Sequence, residues 1–381
     1  MNVEIETRGP LIADVQTFHL KIPGRRSHAH AGAVSRSQSI LILKVTSDAG
    51  HEGYGEVATA GGPWWSGDSI ESVQTIVTAH LRPVLLGQPV MSLAALMARM
   101  DRAAFGNPFA KAGLEMALLD MQGKILDVPV ATLLGGIVRD SFAMCWPLGS
   151  VDVALDVEIA QDKQAQGIGA FKVKMGALPV DQDMTRALAL AKALPAGTDL
   201  RIDLNAAWDE RTARRQFPAL AEAGYRTIEQ PLPRDQLANH ARLAQASPMA
   251  LMADESLTDL PSLLAIAQTG AFTALSLKPM KSGGLTATRD LARVAQSLGL
   301  SLYGGCFLET SLGTAANLHL GAVLGDLALG CEWMGRWWLC DDIADNCVTM
   351  QDGQIRLPTG AGLGVKVDHE KIRQFAVPRG G

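Results

Sequence analysis

Three carboxylic acids stand at the ends of short apolar runs, each about one strand-and-helix unit after the last. They are Asp203 in LRIDLN, Glu229 in YRTIEQP and Asp254 in LMADES. If these runs are neighbouring parallel strands, the three carboxylates face one another, and each raises the pKa of the others. A hard divalent cation that prefers oxygen ligands removes this cost. The spacing therefore predicts one Mg²⁺ or Mn²⁺ ion held by Asp203, Glu229 and Asp254.

Two lysines of the run FKVKMG, Lys172 and Lys174, are separated by one residue. Side chains alternate along a strand, so both ammonium groups point to one side. A lone pattern of this kind is more typical of a solvent-facing strand, but here the three carboxylates follow it, and Lys278 follows them in ALSLKP. A lysine beside a divalent cation and another lysine loses proton affinity and can act as a base near neutral pH. Metal and lysines together suit proton transfer at the carbon next to a carboxylate.

A repeating set of strands and helices is needed to position these residues. From about Cys145 onward, short apolar runs alternate with alanine- and leucine-rich helical patterns. The eight runs are residues 145–149, 171–176, 200–205, 225–231, 251–256, 274–279, 300–307 and 329–334, of which the last is the least regular. Such a repeat predicts a parallel (β/α)8-type barrel, in which catalytic groups collect at the C-terminal ends of the strands.

The first third of the chain has a different pattern. We expect a strand from Val3 to Phe18, a hairpin that breaks at residues 48–50, and helices over residues 70–86, 92–104 and 107–126. The tail after Cys347 returns to hairpin-like alternation. The sequence thus predicts an α/β protein with an α+β capping domain (residues 1–130), a barrel (131–345) and a C-terminal segment (346–381) that returns to the capping domain. We expect the loop over residues 59–68 to close over the barrel mouth.

Composition excludes several classes of protein. The hydrophobic fraction of 48% supports a large core, and the net charge of -5 provides no basic field for nucleic acid. The N-terminus lacks the pattern of a signal peptide, and no apolar run is long enough to span a membrane, so we expect a cytoplasmic protein. The five cysteines form no CxxC pairs and are interpreted as mostly buried thiols.

The motifs FKVKMG, RIDLNAAWD, IEQPL, MADES and LKPMKSGG, in this order, resemble the enolase superfamily and, within it, the muconate lactonizing enzyme subgroup. The resemblance continues in GHEGYGE, GGPWWSGDSIESV and FAKAGLEMALLDMQGK before the barrel, and in LYGGCFLETSLGTAA and LPTGAGLGV after these motifs. It implies a barrel with a capping domain, a divalent metal ion and a small carboxylate substrate. We also expect a homo-oligomer.

The resemblance also implies a role for each motif residue. Lys174 would be the acid/base, Lys172 would tune it and contact the substrate carboxylate, and Lys278 would be the opposing acid/base or a cationic stabiliser of the enolate. The three carboxylates would be the metal ligands. Residues near the metal or the substrate would be Asn205, Glu255 and Glu309.

Two activities fit these parts. In the first, a carboxylate of cis,cis-muconate adds to its own double bond, and Lys174 protonates the resulting enolate to give a lactone. In the second, Lys174 and Lys278 racemise or epimerise an N-substituted amino acid or a betaine. Cys331-Glu332-Trp333 stands where dipeptide epimerases of this subgroup carry Asp-x-Asp, which argues against a dipeptide. A barrel that has lost its chemistry is a weaker alternative, because unpaired buried charges are costly.

The tryptophans and an early basic segment bear on the substrate. Trp64, Trp65, Trp333 and Trp337 either pack between barrel and cap or line the pocket, where an aromatic face would favour an apolar or quaternary ammonium group. Arg25, Arg26 and His28, which we place in a loop before Ile40, either form a solvated basic loop or receive a second anionic group of the substrate.

Overall fold

The computed structural model describes residues 9–59 and 62–378. It begins with an antiparallel sheet in the order β1 (Ile12–His30), β2 (Ala33–Ser47) and β3 (Glu52–Ala58). The helices that follow are α1 (Ile70–Ile76), continued by a π-helical turn (Val77–Leu81) into α2 (Arg82–Leu85), then α3 (Leu93–Ala103), α4 (Pro108–Leu126) and α5 (Val130–Leu133). The predicted strand start at Val3 and residues 60 and 61 of the predicted capping loop lie outside the described residues.

Helix α4 links this sheet to the rest of the molecule. Its residues from Phe109 to Gly123 are buried, and it packs against β3. Gly53 and Gly55 of β3 permit the close approach, because a Cβ atom at either position would collide with a backbone carbonyl of α4, that of Ala117 or that of Gly113. The helix predicted over residues 107–126 is therefore an internal support for the capping sheet.

After β4 (Ser141–Ala143), the chain forms seven parallel strands that pair in sequence order. They are β5 (Cys145–Leu148), β6 (Ala170–Lys174), β7 (Asp199–Asp203), β8 (Tyr225–Glu229), β9 (Ala250–Ala253), β10 (Ala274–Leu277) and β11 (Ser301–Gly304). The helices are α6 (Val153–Ala165), α7 (Val180–Ala193), α8 (Glu210–Glu222), α9 (Leu237–Ala246), α10 (Leu260–Thr269), α11 (Pro279–Ser282), α12 (Leu285–Ser297), α13 (Ser311–Val323) and α14 (Gly335–Trp338). Seven predicted runs are strands, which confirms the barrel-type fold.

The eighth predicted run, residues 329–334, is reduced to a single bridging residue. Cys331 forms isolated parallel bridges with Met144, beside β5, and with Gly304, at the end of β11. Gly330 precedes it with a left-handed backbone (φ +67), and the Met334 N–H donates back to the Glu332 carbonyl oxygen at 2.6 Å. These two turns leave room for one extended residue, so the edges of the sheet meet only at Cys331.

The C-terminal tail contacts both parts of the chain. The strands β12 (Met350–Gln351) and β13 (Gln354–Arg356) pair with each other, and β13 pairs with β4. After α15 (His369–Phe375), the Val377 N–H donates to the His19 carbonyl oxygen of β1 at 2.8 Å. The domain boundaries at residues 130 and 345 stay a prediction. Within the described ranges, no helix has the length and hydrophobicity needed to cross a bilayer.

Candidate active site

The register of the parallel strands places the predicted residues at one end of the sheet. Lys174 on β6 is the register partner of Asp203 on β7, and Asp203 is the partner of Glu229 on β8. Asp254 and Lys278 come directly after the last residues of β9 and β10. The C-terminal ends of five neighbouring strands therefore carry the three carboxylates and the lysines around them.

Each carboxylate is paired with a lysine. Lys174 Nζ lies 2.5 Å from Asp203 Oδ2, and Lys278 Nζ lies 2.6 Å from Asp254 Oδ2. Lys172 Nζ, which is fully buried, lies 2.6 Å from Glu229 Oε2. The ammonium groups thus neutralise the three like charges that the sequence brings together.

Two further residues complete this network. Glu332, directly after the bridging Cys331, places Oε2 2.8 Å from Lys172 Nζ. Lys281 in α11 places Nζ 2.7 Å from Asp254 Oδ1. Neither residue was predicted from the sequence. The available signals were that Lys281 follows Lys278 by one helical turn in LKPMKSGG and that Glu332 directly precedes Trp333.

The pairing sets the protonation of the lysines. Burial lowers the pKa of Lys174, but the carboxylates of Asp203, Glu332 and Glu229 together more than offset it, so this pKa lies above its ordinary value. Burial also lowers the pKa of Lys172, but the negative charges of Glu229 and Glu332 outweigh the effect of burial. The pKa of Lys172 therefore lies well above its ordinary value. The nearest charges to both lysines are carboxylates, and the expected loss of proton affinity beside a metal ion stays a prediction. In this arrangement Lys174 is an ammonium ion that can donate a proton.

The same surroundings act on the acids. Burial raises the pKa of Glu229 to about 7 despite the opposing effect of Lys172. Burial also raises the pKa of Glu255 to about 8, and the negative charges of Asp254 and Asp203 add to this effect. For Asp254, burial is outweighed by Lys278 and Lys281, so its pKa lies below the ordinary value.

The oxygen atoms of this cluster fit a hard cation. Within the described part of the chain, Glu229 Oε1, Asn205 Oδ1 and Glu255 Oε2 are buried and have no hydrogen-bond partner. Buried acceptors without a donor are costly, and a cation that binds oxygen would satisfy them. No three His, Cys, Asp or Glu side chains of the described residues are already placed close enough to hold a metal ion. The set of ligands therefore stays a prediction.

Three residues predicted to lie near metal or substrate have different positions. Asn205 lines the cavity, and its Nδ2 donates to Glu255 Oε1 at 3.1 Å, so these two residues act as a pair beside Asp203. Glu309 lies farther back, where Asn317 Nδ2 donates to its Oε1 at 3.3 Å. Glu309 does not line the cavity, and its predicted place near the substrate stays a prediction.

A small cavity of ≈ 30 Å³ lies at these strand ends. Lys174, Lys278 and Asn205 line it from the barrel, and Trp65 lines it from the capping loop. Lys278 Nζ lies 4.8 Å from the centre of the Trp65 ring, which also packs against Phe307. Trp65 of the predicted capping loop thus covers the barrel mouth.

The other tryptophans are placed differently. Trp333 is 3% exposed, donates from Nε1 to the Gly305 carbonyl oxygen at 3.0 Å and packs edge-on against Phe142. It does not line the cavity, because the chain turns directly after Cys331 and directs it between barrel elements. Packing, one of the two roles considered for Trp333, is the one that the structure describes, and a contact with substrate stays a prediction. Trp64 is 36% exposed and lies beside a shallow surface depression with Trp65.

The early basic segment is not a loop. Residues 24–30 are the second half of β1, and His28 is paired in register with Ser35 of β2. His28 is buried and lines the cavity, whereas Arg25 is exposed and donates to the Cys340 carbonyl oxygen at 3.3 Å. His30, which the sequence reasoning did not select, lines the same cavity. The signal for it was the alternation His28-Ala29-His30.

Two family descriptions match this chain. "Mandelate racemase / muconate lactonizing enzyme, N-terminal domain" matches residues 12–135, and "Enolase C-terminal domain-like" matches residues 155–372. The chain belongs to the mandelate racemase/muconate lactonizing enzyme family of the enolase superfamily. This confirms the resemblance drawn from the motifs.

Relatives of this family member cover nearly its whole length. A chloromuconate cycloisomerase from Cupriavidus pinatubonensis is 40% identical over 356 residues, which are 93% of this chain and 96% of the relative. Muconate cycloisomerase 1 from Pseudomonas putida is 38% identical over 353 residues, 92% of this chain and 94% of the relative. The crystal structure of the muconate lactonizing enzyme from Pseudomonas fluorescens complexed with muconolactone has a TM-score of 0.95 at 36% identity, covering 97% of this chain and all of that one.

Proposed function

We propose that this member of the family is a cycloisomerase that converts cis,cis-muconate or a chlorinated muconate into a lactone. The observation that carries the proposal is the placement of Lys174 and Lys278 on one cavity, beside three strand-end carboxylates. The likeness to muconate and chloromuconate cycloisomerases over nearly the full chain supports the choice of substrate.

Asp203, Glu229 and Asp254 would hold the Mg²⁺ or Mn²⁺ ion, with Asn205 and Glu255 beside them. When bound, this ion supplies positive charge that stabilises the negative charge developing on a substrate carboxylate. Binding there would draw the carboxylates away from their lysine partners. The fully buried Lys172 would then be available to contact the carboxylate of the substrate.

Lys174 carries the proton in the proposed reaction. One carboxylate oxygen of muconate forms a C–O bond to the double bond conjugated with the other carboxylate, and the electron pair moves to give an enolate. The Lys174 ammonium group then donates a proton to the α-carbon, which completes the lactone. The product carries one negative charge fewer than the substrate, so one proton is taken from solvent when Lys174 is recharged.

Lys278 lies on the same cavity and would stabilise the enolate as a fixed positive charge. Its position also bears on the alternative substrate. A betaine would need a free aromatic face for its quaternary ammonium group. The face of Trp65 already has Lys278 Nζ 4.8 Å from its centre, and a second cation there would be repelled. This favours the dicarboxylate over the betaine.

The test is a direct assay with cis,cis-muconate and 2-chloromuconate beside a panel of N-acyl amino acids and proline betaines. We expect a lactone, with one deuterium atom at the α-carbon when the reaction runs in deuterated water. Lys174→Ala should remove turnover and deuterium incorporation, while the surface variant Lys366→Ala should retain both. Absence of lactone, with rapid α-proton exchange in an acyl amino acid or betaine, would overturn the proposal and favour a racemase that uses Lys174 and Lys278.

We also propose an oligomeric state and a cellular location for the protein. We expect a homo-oligomer located in the cytoplasm. Light scattering coupled to gel filtration measures the mass of the assembly, and a monomer mass would contradict the first of these expectations.

A further inference from the structure

Two histidines of the capping sheet line the cavity at the strand ends. His28 and His30 lie near the end of β1, are buried, and have ring centres 4.7 Å apart in an edge-on arrangement. They line the same cavity as Lys174 and Lys278. The capping sheet therefore contributes polar groups to the wall of the cavity.

Backbone pairing holds the two histidines in place. The end of β1 pairs with β2, His28 with Ser35 and His30 with Ala33, and the Ala29 N–H donates to the Gly149 carbonyl oxygen at 2.9 Å. Gly149 also makes room for the His28 ring, since a Cβ atom there would lie 2.9 Å from it. Both rings are thus presented to the cavity by regular strand structure.

The chemical state of His30 suits it to bind an anion by a hydrogen bond. Its side chain is 8% exposed, and Nε2 has no hydrogen-bond partner within the part of the chain that the structure describes. Burial, reinforced by the charges of Lys174, Lys278 and Lys172, holds its pKa well below the ordinary value. His30 is therefore a neutral imidazole, which can offer an N–H donor without adding charge.

The neighbouring polar group of the cavity wall is already engaged. Gln38 Nε2 donates to the Phe307 carbonyl oxygen at 2.6 Å and to the Thr59 carbonyl oxygen at 3.0 Å. His30 Nε2 has no such engagement within residues 9–59 and 62–378. A dicarboxylate that binds with one carboxylate at Lys172, beside the residues that would hold the metal ion, needs a hydrogen-bond donor for its other carboxylate.

We propose that His30, supported by His28, donates a hydrogen bond from Nε2 to the substrate carboxylate that lies away from Lys172. His30 is then the residue that selects a dicarboxylate over a substrate with one charged end. This inference rests on the proposed cycloisomerase function, and it names the group that recognises the second carboxylate.

The test measures the KM for cis,cis-muconate and the inhibition constant (Ki) of its monomethyl ester in the unmodified enzyme, His30→Leu and His30→Gln. With its free carboxylate at Lys172, the ester has no second carboxylate to form the C–O bond, so it binds without giving a lactone. Loss of a hydrogen bond to a charged group predicts a rise of about 10- to 100-fold in KM for muconate in His30→Leu. We expect kcat to change less than about 3-fold, because His30 does not move the proton. The Ki of the ester should hardly change, because its distal end carries no charge, and His30→Gln, which keeps an N–H donor, should recover most of the affinity for muconate.

A matched control is His19→Leu, which removes a histidine from the same strand outside the cavity and should leave both the KM for muconate and the Ki of the ester unchanged. Thermal melting of each variant establishes that it is folded. Equal rises in the KM for muconate and the Ki of the ester, or no rise in either, would overturn the role of His30 while leaving lactone formation intact. If the unmodified enzyme forms no lactone, the proposed function fails, and the inference fails with it.

Discussion

Lys281→Met removes an ammonium group that fixes Asp254 from the side of helix α11. Lys281 is 3% exposed, and its Nζ donates to three oxygens: Asp254 Oδ1 and the Asp254 carbonyl, both at 2.7 Å, and the Ser276 carbonyl at 2.8 Å. Methionine is unbranched and fills a similar space, so the substitution removes the donors without opening a large cavity. The effect on stability should therefore come from the oxygens left without a partner.

The magnitude follows from what remains around Asp254. Removing one partner of a buried ion pair costs about 3–5 kcal/mol. Lys278 still lies 2.6 Å from Asp254 Oδ2, so the carboxylate keeps one compensating charge. We therefore expect the lower part of the range, a loss of about 3 kcal/mol in the free energy of unfolding.

The assay is guanidinium denaturation at neutral pH, followed by tryptophan fluorescence with a chelator present. Lys111→Met is the matched control, because Lys111 lines the same cleft behind the barrel and is also buried. Its partner Asp101 has a side chain that is 64% exposed, so water can replace the lost ammonium group. The control should lose less than about 1 kcal/mol.

Two results would refute this reasoning. A loss below about 1 kcal/mol in Lys281→Met would mean that Asp254 does not need its second cation. Equal losses in Lys281→Met and Lys111→Met would mean that the exposure of the carboxylate partner does not determine the cost. In either case the geometry around Asp254 would not explain its stability.

Glu229→Gln should weaken Mn²⁺ binding at least about 10-fold by calorimetry and abolish turnover, since it removes one charge from the predicted ligands; full activity in a chelator would contradict the metal assignment. Burial lowers the pKa of His240 to about 4. Because the unfolded chain binds the proton from about pH 6.5 downward, the free energy of unfolding should fall as pH drops from about 6.5 to about 4, by up to about 3 kcal/mol. His240→Gln should show a shallower dependence in denaturation series at several pH values, and an unchanged slope would count against the buried neutral ring. Glu56 accepts hydrogen bonds from the Thr310 N–H and hydroxyl and from the Gly313 N–H. Glu56→Ala should cost about 3 kcal/mol in unfolding free energy, and a loss below about 1 kcal/mol would show that these donors find water.

The sequence alone determined the repeat and the residues that end its strands. Seven apolar runs are strands, and Lys174, Asp203, Glu229, Asp254 and Lys278 stand where the prediction placed them. The reason is local. Period-two apolar runs and helical patterns are properties of short segments, and the C-terminal ends of parallel strands always share one edge of the sheet.

The motif resemblance also carried the family and the activity class, because the motifs run through both the cap and the barrel. What they did not contain is the position of side chains that meet only after folding. Glu332 reaches Lys172 across the barrel, and Lys281 reaches Asp254 from the next strand-and-helix unit. Each residue is an ordinary charged side chain until its partner is known.

Tertiary structure alone decided the walls of the cavity. The eighth strand contracts to Cys331 because turns on both sides leave one extended residue, and this directs Trp333 into the core while Trp65 covers the mouth. The segment predicted as a basic loop continues β1, because β2 offers it backbone partners, and this brings His28 and His30 to the cavity. A strand pairing or a turn is settled by distant backbone groups, so which face a side chain presents cannot be read from its own segment.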